Sequence, residues 1–182
     1  MGVDGHELDA VAGRVVAELL TKSHLTPLDQ MVGMMAETAR PLGVSAMRIY
    51  LADLQQRSLK PLPDGMAKWP KALAINSTVA GRAYQTIQIH ASPAADGGDG
   101  YRVWVPMIDG TERLGVLELE VAEASEAMLA VYRSLAALAG LMIASKSAYS
   151  DIHAQLCLRL AAIQGERQNR WQKILGMMAS RS

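Results

Sequence analysis

Few side chains in this sequence stand at spacings that perform covalent chemistry. No serine sits in a Gly-x-Ser-x-Gly turn, no glycine-rich phosphate loop occurs, and no His-Glu-x-x-His helix offers two imidazoles to zinc. The best metal spacing is His153 and Cys157, four apart and so on one face of a helix. That helix supplies only these two ligands, so a tetrahedral site needs the same pair from a second copy. A buried thiol beside a polar neighbour is the simpler reading. Asp96-Gly97-Gly98-Asp99-Gly100 lacks the ligand spacing and closing glutamate of a calcium loop and reads as a hairpin tip. Asn76-Ser77-Thr78 matches a glycosylation acceptor in form only. No metal, cofactor or catalytic residue is expected, and nothing in the sequence recommends an enzyme.

Binding therefore has to be argued from charge and surface. Across 182 residues, 18 Lys and Arg face 18 Asp and Glu, a formal charge of zero. A dedicated nucleic-acid binder would show a strongly basic balance. Arg159, Arg167, Arg170, Lys173 and Arg181 stand against Glu166 alone, which reads as the solvated flank of a coiled coil. Half of the chain is apolar, with 11 Met and no Phe, so the core is expected to be aliphatic and thioether. The single cysteine excludes an intrachain disulfide. The opening residues carry no apolar signal segment, and no apolar run approaches the roughly 20 residues that cross a bilayer. The expectation is a soluble, cytoplasmic chain.

The periodicity supplies the elements. Leu8, Val11, Val15 and Leu19, widened by Val16 and Leu20, mark a first helix. Thr26-Pro27 predicts a capped start for a second, with Leu28, Met31, Val32, Met35 and Ala39 inward and a stop at Pro41 and Gly43. The period then becomes two. Residues 44–52 put Met47, Ile49 and Leu51 on one face and Ala46, Arg48 and Tyr50 on the other. Residues 58–62 are a hairpin partner that Pro61 places towards an edge. After a short Leu73-Ala74-Ile75 run, Asn76 or Ser77 is expected to cap a helix through Val79, Ala80, Ala83 and Tyr84, with a small strand at 87–90. Residues 101–108 and 114–121 form a hairpin around Asp109-Gly110. From Ser125 a long helix carries Met128, Tyr132, Leu135, Ala139 and Met142, continuing through Tyr149, Ile152 and Leu156. Such a helix exceeds what one domain buries, so its distal half is expected to meet another chain.

The two sheet faces differ in kind. Met47, Ile49, Leu51, Val103, Val105, Met107, Leu117, Leu119 and Val121 must lie on the helices, since leaving them wet costs roughly 1.5–3 kcal/mol per large side chain. Arg48, Tyr50, Trp104 and Glu118 then project from the opposite face.

This order of elements resembles a GAF domain. Val105-Pro106-Met107, a turn, and Leu114-Gly115-Val116-Leu117 are similar to that family's late hairpin, where Gly115 permits a bulge or a close backbone approach. Ala80-Gly81-Arg82-Ala83-Tyr84-Gln85 and the run from Trp104 to Leu117 resemble most closely the GAF domains that precede actinobacterial stress-type (sporulation-type) serine phosphatases. In that family the domain is a regulatory sensor joined to a metal-dependent catalytic module. Too little sequence follows the long helix for that module, so the phosphatase activity is not carried over. The chain is either a free-standing sensor or the regulatory fragment of such a protein.

The resemblance implies an α+β fold: a central antiparallel sheet with a helical bundle on one face and a short helix and loops over a pocket on the other. Residues 1–150 form the domain and 151–182 extend the long helix. Trp69, Arg82 and Tyr84 would roof a pocket floored by Arg48, Tyr50, Trp104 and Glu118. Arg48 and Arg82 can hold a carboxylate or phosphate there, and Trp69 or Trp104 can stack a planar ring. Equally, Arg48 and Glu118 can pair across strands while the aromatic rings fill the space themselves. The family's cyclic-nucleotide signature is missing. Bilin attachment uses a cysteine in the central domain, which Cys157 lies beyond. The expected function is a non-catalytic module of bacterial signalling that senses a small molecule and forms a homodimer through Val11, Val15, Leu135, Met142, Tyr149, Ile152 and Leu156. A downstream phosphatase or other signalling protein would be its partner. The alternative is a pure dimerisation scaffold with an unoccupied pocket.

Overall fold

The computed structural model describes residues 5–62, 70–94 and 100–146. The chain divides into two compact units, Met1–Ile143 and Ala144–Ser182. Of the second, only residues 144–146 are described, so Tyr149, Ile152, His153, Leu156, Cys157 and the basic tail lie outside the described residues.

Helix α1 (Gly5–Ser23) buries Val15 and Leu19, half-buries Leu8, Val11 and Val16, and leaves Leu20 facing water. Helix α2 (Leu28–Ala39) buries Met31, Val32, Met35, Thr38 and Ala39. Thr26 does not cap α2. Its hydroxyl donates to the Lys22 carbonyl at 2.9 Å and closes the last turn of α1, while extended Pro27 stands before α2 without a side-chain cap. A 3-10 turn (Arg40–Leu42) ends at Gly43, whose φ of +74° reverses the chain into the first strand.

The six strands form one antiparallel sheet in the order β3-β2-β1-β6-β5-β4. They are β1 (Val44–Ala52), β2 (Ser58–Pro61), β3 (Leu73–Ala74), β4 (His90–Pro93), β5 (Tyr101–Asp109) and β6 (Glu112–Val121). Strand β2 is not the edge; β3 lies outside it, but pairs only with Ser58 and Leu59. Pro61 therefore sits past the end of β3, where its missing N–H disturbs no ladder. The β5–β6 turn is tighter than the sequence suggested: Asp109 pairs with Glu112 around Gly110 (φ +57°), and a bulge between Met107 and Ile108 corrects the register. Gly115 is forced by packing. A Cβ there would collide with the Tyr50 carbonyl oxygen on β1.

Helix α4 is described over Glu126–Lys146. Ser125 Oγ accepts from the Met128 N–H at 3.4 Å, the cap expected at its start. Met128, Tyr132, Leu135, Ala136, Ala139, Met142 and Ile143 join Met31, Met35, Met47, Ile49, Val105 and Leu117 in one core. Tyr132 is fully buried, and its hydroxyl lies 3.2 Å from both the Leu42 and Glu123 carbonyls. Helix α4 corrects one expectation: it is long and apolar enough, by length and composition, to cross a membrane. Its alanines and leucines make it so, with Glu126 and Lys146 at its ends and Arg133 the one charge between them, and its apolar stripe joins the core with the sheet.

Helix α3 (Val79–Thr86) covers the opposite sheet face, contacting β3, β4, β5 and β6. Its cap is Thr78 rather than Asn76 or Ser77: Thr78 Oγ1 accepts from the Gly81 N–H at 3.0 Å and donates to the Ala74 carbonyl at 2.7 Å. Asn76 is engaged by the Gln85 amide at 3.1 Å. Val79 points outward, and Ala80, Gly81, Ala83 and Tyr84 point to the sheet. A Cβ on Gly81 would strike the Ile75 backbone, so glycine sets how closely α3 seats. Ile87 closes α3 in the left-handed region (φ +56°), which delays β4 to His90.

Candidate functional site

Strand register decides what gathers under α3. Arg48 opposes Glu118, Glu118 opposes Trp104, and Trp104 opposes His90, a single row across β1, β6, β5 and β4. The next row runs Ala46, Glu120, Arg102, Ser92, and the row on the other side holds Tyr50, Val116 and Pro106. Directly opposed side chains on one sheet face lie within contact distance.

Four of these residues form a closed network of charges. Arg48 Nη1 is 3.4 Å from Glu118 Oε2 and 3.3 Å from Glu120 Oε1. Arg102 mirrors it, with Nε 3.3 Å from Glu118 Oε1 and Nη2 3.4 Å from Glu120 Oε1. Depth is unequal: the Glu118 side chain is 4% exposed, whereas Arg48, Arg102 and Glu120 are 30%, 34% and 35% exposed. Burial opposes the Arg48 charge, but Glu118 and Glu120 outweigh it and hold its pKa above the ordinary arginine value.

Beside the charges lies an apolar cluster of Tyr50, Leu59, Ile75, Ala80, Ala83, Tyr84, Trp104 and Val116. The Tyr50 and Trp104 rings are 5.9 Å apart at 52°, a tilted pair. Burial, and then the negative Glu118, push the Tyr50 hydroxyl up to about 12. Burial also raises Tyr84. Four sealed polar atoms have no hydrogen-bond partner among the described residues: Tyr84 Oη, His90 Nε2, Arg102 Nε and Glu118 Oε2. The last two touch opposite charges without hydrogen-bond geometry. The first two touch none, and a buried polar group left this way costs about 1–3 kcal/mol.

Arg48, Tyr50, Tyr84, Trp104 and Glu118 thus come together as expected from alternation and from the short helix. Arg82 does not. It sits between buried Gly81 and Ala83 on the solvent side of α3, so it cannot join Arg48 in clamping an anion. Trp69 lies outside the described residues. The pairing of Arg48 with Glu118, one of the two arrangements open from the sequence, is the one present. Arg102, Glu120 and His90 were missed as site residues. Alternation already put Arg102 and Glu120 on this face, and their opposition to each other was the available signal. His90 had no such signal, because the start of β4 depends on the Ile87 reversal.

Among the expected interface residues, Val15, Leu135 and Met142 are buried within one chain at 3%, 2% and 5% exposure, and Val11 is half-buried. Val11 and Val15 lie on α1, which packs against α2 and the 3-10 turn, and Leu135 and Met142 lie on α4 in the same core. Between these helices runs an apolar groove of about 550 Å³, lined by Leu8, Ala12, Val16, Leu42 and Val131 and reaching Val15 and Leu135.

Comparison with solved structures identifies this architecture. The chain is similar to the GAF domain of an Acinetobacter phosphoenolpyruvate-protein phosphotransferase, with a TM-score of 0.62 and 19% identity over 80% of this chain and 97% of that one. It is also similar to the corresponding GAF domain from Coxiella burnetii, with a TM-score of 0.64 and 16% identity over 78% and 98%. A third similar structure is a free methionine-R-sulfoxide reductase from Neisseria meningitidis in complex with its substrate, at 0.61 and 14% over 82% and 96%. Neither a protein-family model nor a curated protein matches the sequence. The fold is that of GAF domains, the α+β arrangement expected from the order of elements.

Proposed function

We propose that this chain is a non-catalytic regulatory domain of bacterial signalling, cytoplasmic, which binds a small molecule on the outer sheet face and acts as a homodimer. One observation carries the reading. The outer face holds a buried carboxylate, two aromatic rings and two partnerless buried polar groups beneath a single short helix, where a plain structural layer would be apolar. The GAF fold adds weight by analogy only. The motifs around Ala80–Gln85 and Trp104–Leu117 favour a downstream serine phosphatase as the module regulated.

A ligand acts here by changing the preferred seating of α3 or the set of α1 and α4, and only to the extent that it binds one arrangement better. The α1–α4 groove and exposed Leu20 and Leu141 support the dimer; they, rather than Val15 or Met142, offer unspent apolar surface. The second reading, a pure dimerisation scaffold, is favoured by the arginines already being paired and the rings already buried.

Thermal unfolding of the intact chain against fractionated metabolites separates the two, since a ligand specific for the folded state must raise Tm. The receptor reading expects at least one fraction to do so and Trp104→Leu to abolish the shift. If no fraction shifts Tm, the scaffold stands. An enzyme reading is tested on the stabilising compound itself, which should be recovered unchanged after incubation.

A further inference from the structure

Resting on the homodimer reading, we infer the surface by which two copies meet: a pair of small-residue seams, one on α1 and one on α4, lying against the same seams of a second chain. On α4, Ala127, Ala130, Ser134, Ala137 and Leu141 are all exposed and recur at three and four residues, on the side opposite the buried Tyr132 and Ala139. On α1, Ala10, Gly13, Ala17 and Leu20 repeat that spacing and are exposed too. Strict alternation of three and four is the narrow seam of a coiled coil, not the broad stripe that packs on a core. Both helices already give a separate stripe to the core, so these seams are additional. In α4 less than half of the long apolar span is buried.

The occupant is a second copy because this surface complements itself. A two-fold contact between identical faces needs both what projects and what receives. Leu141 and Leu20 project, 59% and 45% exposed. Gly13, Ala127, Ala130 and Ser134 line the α1–α4 groove, where small side chains leave room for such leucines. The Ser134 hydroxyl is spent on the Ala130 carbonyl at 3.2 Å, so it packs as a small residue. Charge points the same way. Beside the seams stand Asp9 and Arg14 on α1 and Glu126 and Arg133 on α4, all exposed and none in an ion pair among the described residues. Each seam thus has one acid and one base at its flanks, and two like faces meet without net repulsion and with opposite charges on offer. An anionic lipid surface calls instead for a cationic rim, which Asp9 and Glu126 interrupt.

Charged seams test this. Ala17→Glu with Ala130→Glu puts one negative charge into each seam, and Ala17→Lys with Ala130→Lys one positive. Both positions are exposed in the single chain, so each double variant should keep the parent's far-UV circular dichroism. Sedimentation equilibrium of the intact chain over a concentration series reads the dimer dissociation constant. It should rise at least about tenfold in either variant. An equimolar mixture of the two should return towards the parent's affinity, because opposite charges then face each other whichever seams meet. That rescue separates a broken interface from a damaged fold. Arg82→Glu, on α3 across the sheet, should leave the constant unchanged. If the parent dimerises while both variants do so equally well, or while their mixture stays apart, the inference is overturned and the homodimer reading survives. A parent that is monomeric throughout overturns both. Parent monomers that bind phosphatidylcholine–phosphatidylglycerol vesicles, with binding lost in the Glu variant, overturn it in favour of lipid.

Discussion

Glu118 offers the sharpest energetic test. Removing one member of a buried charge set costs about 3–5 kcal/mol when the remaining charge has nowhere to go. Here Arg48 and Arg102 keep Glu120 and are about one-third exposed, so water recovers part of that loss. Discounting by roughly half, Glu118→Ala should cost about 2 kcal/mol, some 4–8 °C in Tm for a domain of this size. Glu120→Ala removes a carboxylate 35% exposed on the same two arginines and should cost about 0–1 kcal/mol. Equilibrium urea unfolding of the three proteins measures both differences, with unchanged m-values certifying that midpoints report stability. Raising salt should narrow the Glu120→Ala gap more than the Glu118→Ala gap, because screening reaches the rim before the interior. Equal costs for the two variants would refute the claim that depth distinguishes these carboxylates. A Glu118→Ala protein as stable as the parent would refute the network as a structural element.

Three further predictions follow from the same geometry. Gly81→Ala should destabilise by about 1–3 kcal/mol because its methyl strikes the Ile75 backbone, and the loss should appear as faster hydrogen exchange in α3 ahead of α1 and α2. Tyr132→Phe should cost about 1–3 kcal/mol in urea midpoints, since the Leu42 and Glu123 carbonyls lose their shared donor. The third concerns alkali. Tyr50 titrates near 12 when folded and near ~10 when unfolded, so the folded state holds its proton more tightly. That contribution is complete below pH ~10 and is lost as pH rises through ~12. Tyr132, also raised chiefly by burial, adds to the loss with the same sign. Tyr50→Phe should therefore flatten part of the alkaline limb of a stability-against-pH curve, while near neutral pH it registers the loss of the hydroxyl's hydrogen bond to Glu118.

Alternation made the two sheet faces legible, because a period of two assigns every strand residue a side with no tertiary knowledge. It placed Met47, Val105 and Leu117 inward and Arg48, Trp104 and Glu118 outward, and the structure agrees. The long helix as far as Lys146 and its Ser125 cap were readable for a similar reason, as local chemistry repeated over several turns. Register was harder to read. Whether Arg48 meets an anionic ligand or Glu118 depends on which residues oppose, and two ladders had to be fixed before the network of four charges could close. The short elements failed for a different reason. Asn76, Ser77 and Thr78 are all competent caps, and tertiary seating against Ile75 and Ala74 selects Thr78. Arg82 stands exposed because Ala80, Gly81, Ala83 and Tyr84 take the buried positions of α3. A stripe at helical spacing does not say whether it faces the rest of its own chain or a second one, and Tyr149, Ile152 and Leu156 lie outside the described residues. Val15, Leu135 and Met142 lie in the core of this chain.

The central claim is that the outer face, beneath α3, is the receptor surface. Two-dimensional NMR of the intact chain, titrated with whichever compound stabilises it most, tests this directly. The account predicts chemical-shift changes concentrated at Tyr84, His90, the Trp104 indole N–H and the Glu118 amide, with the α1–α4 groove nearly silent. Changes centred on Leu8, Val16 and Val131 while Trp104 stays unmoved would contradict it.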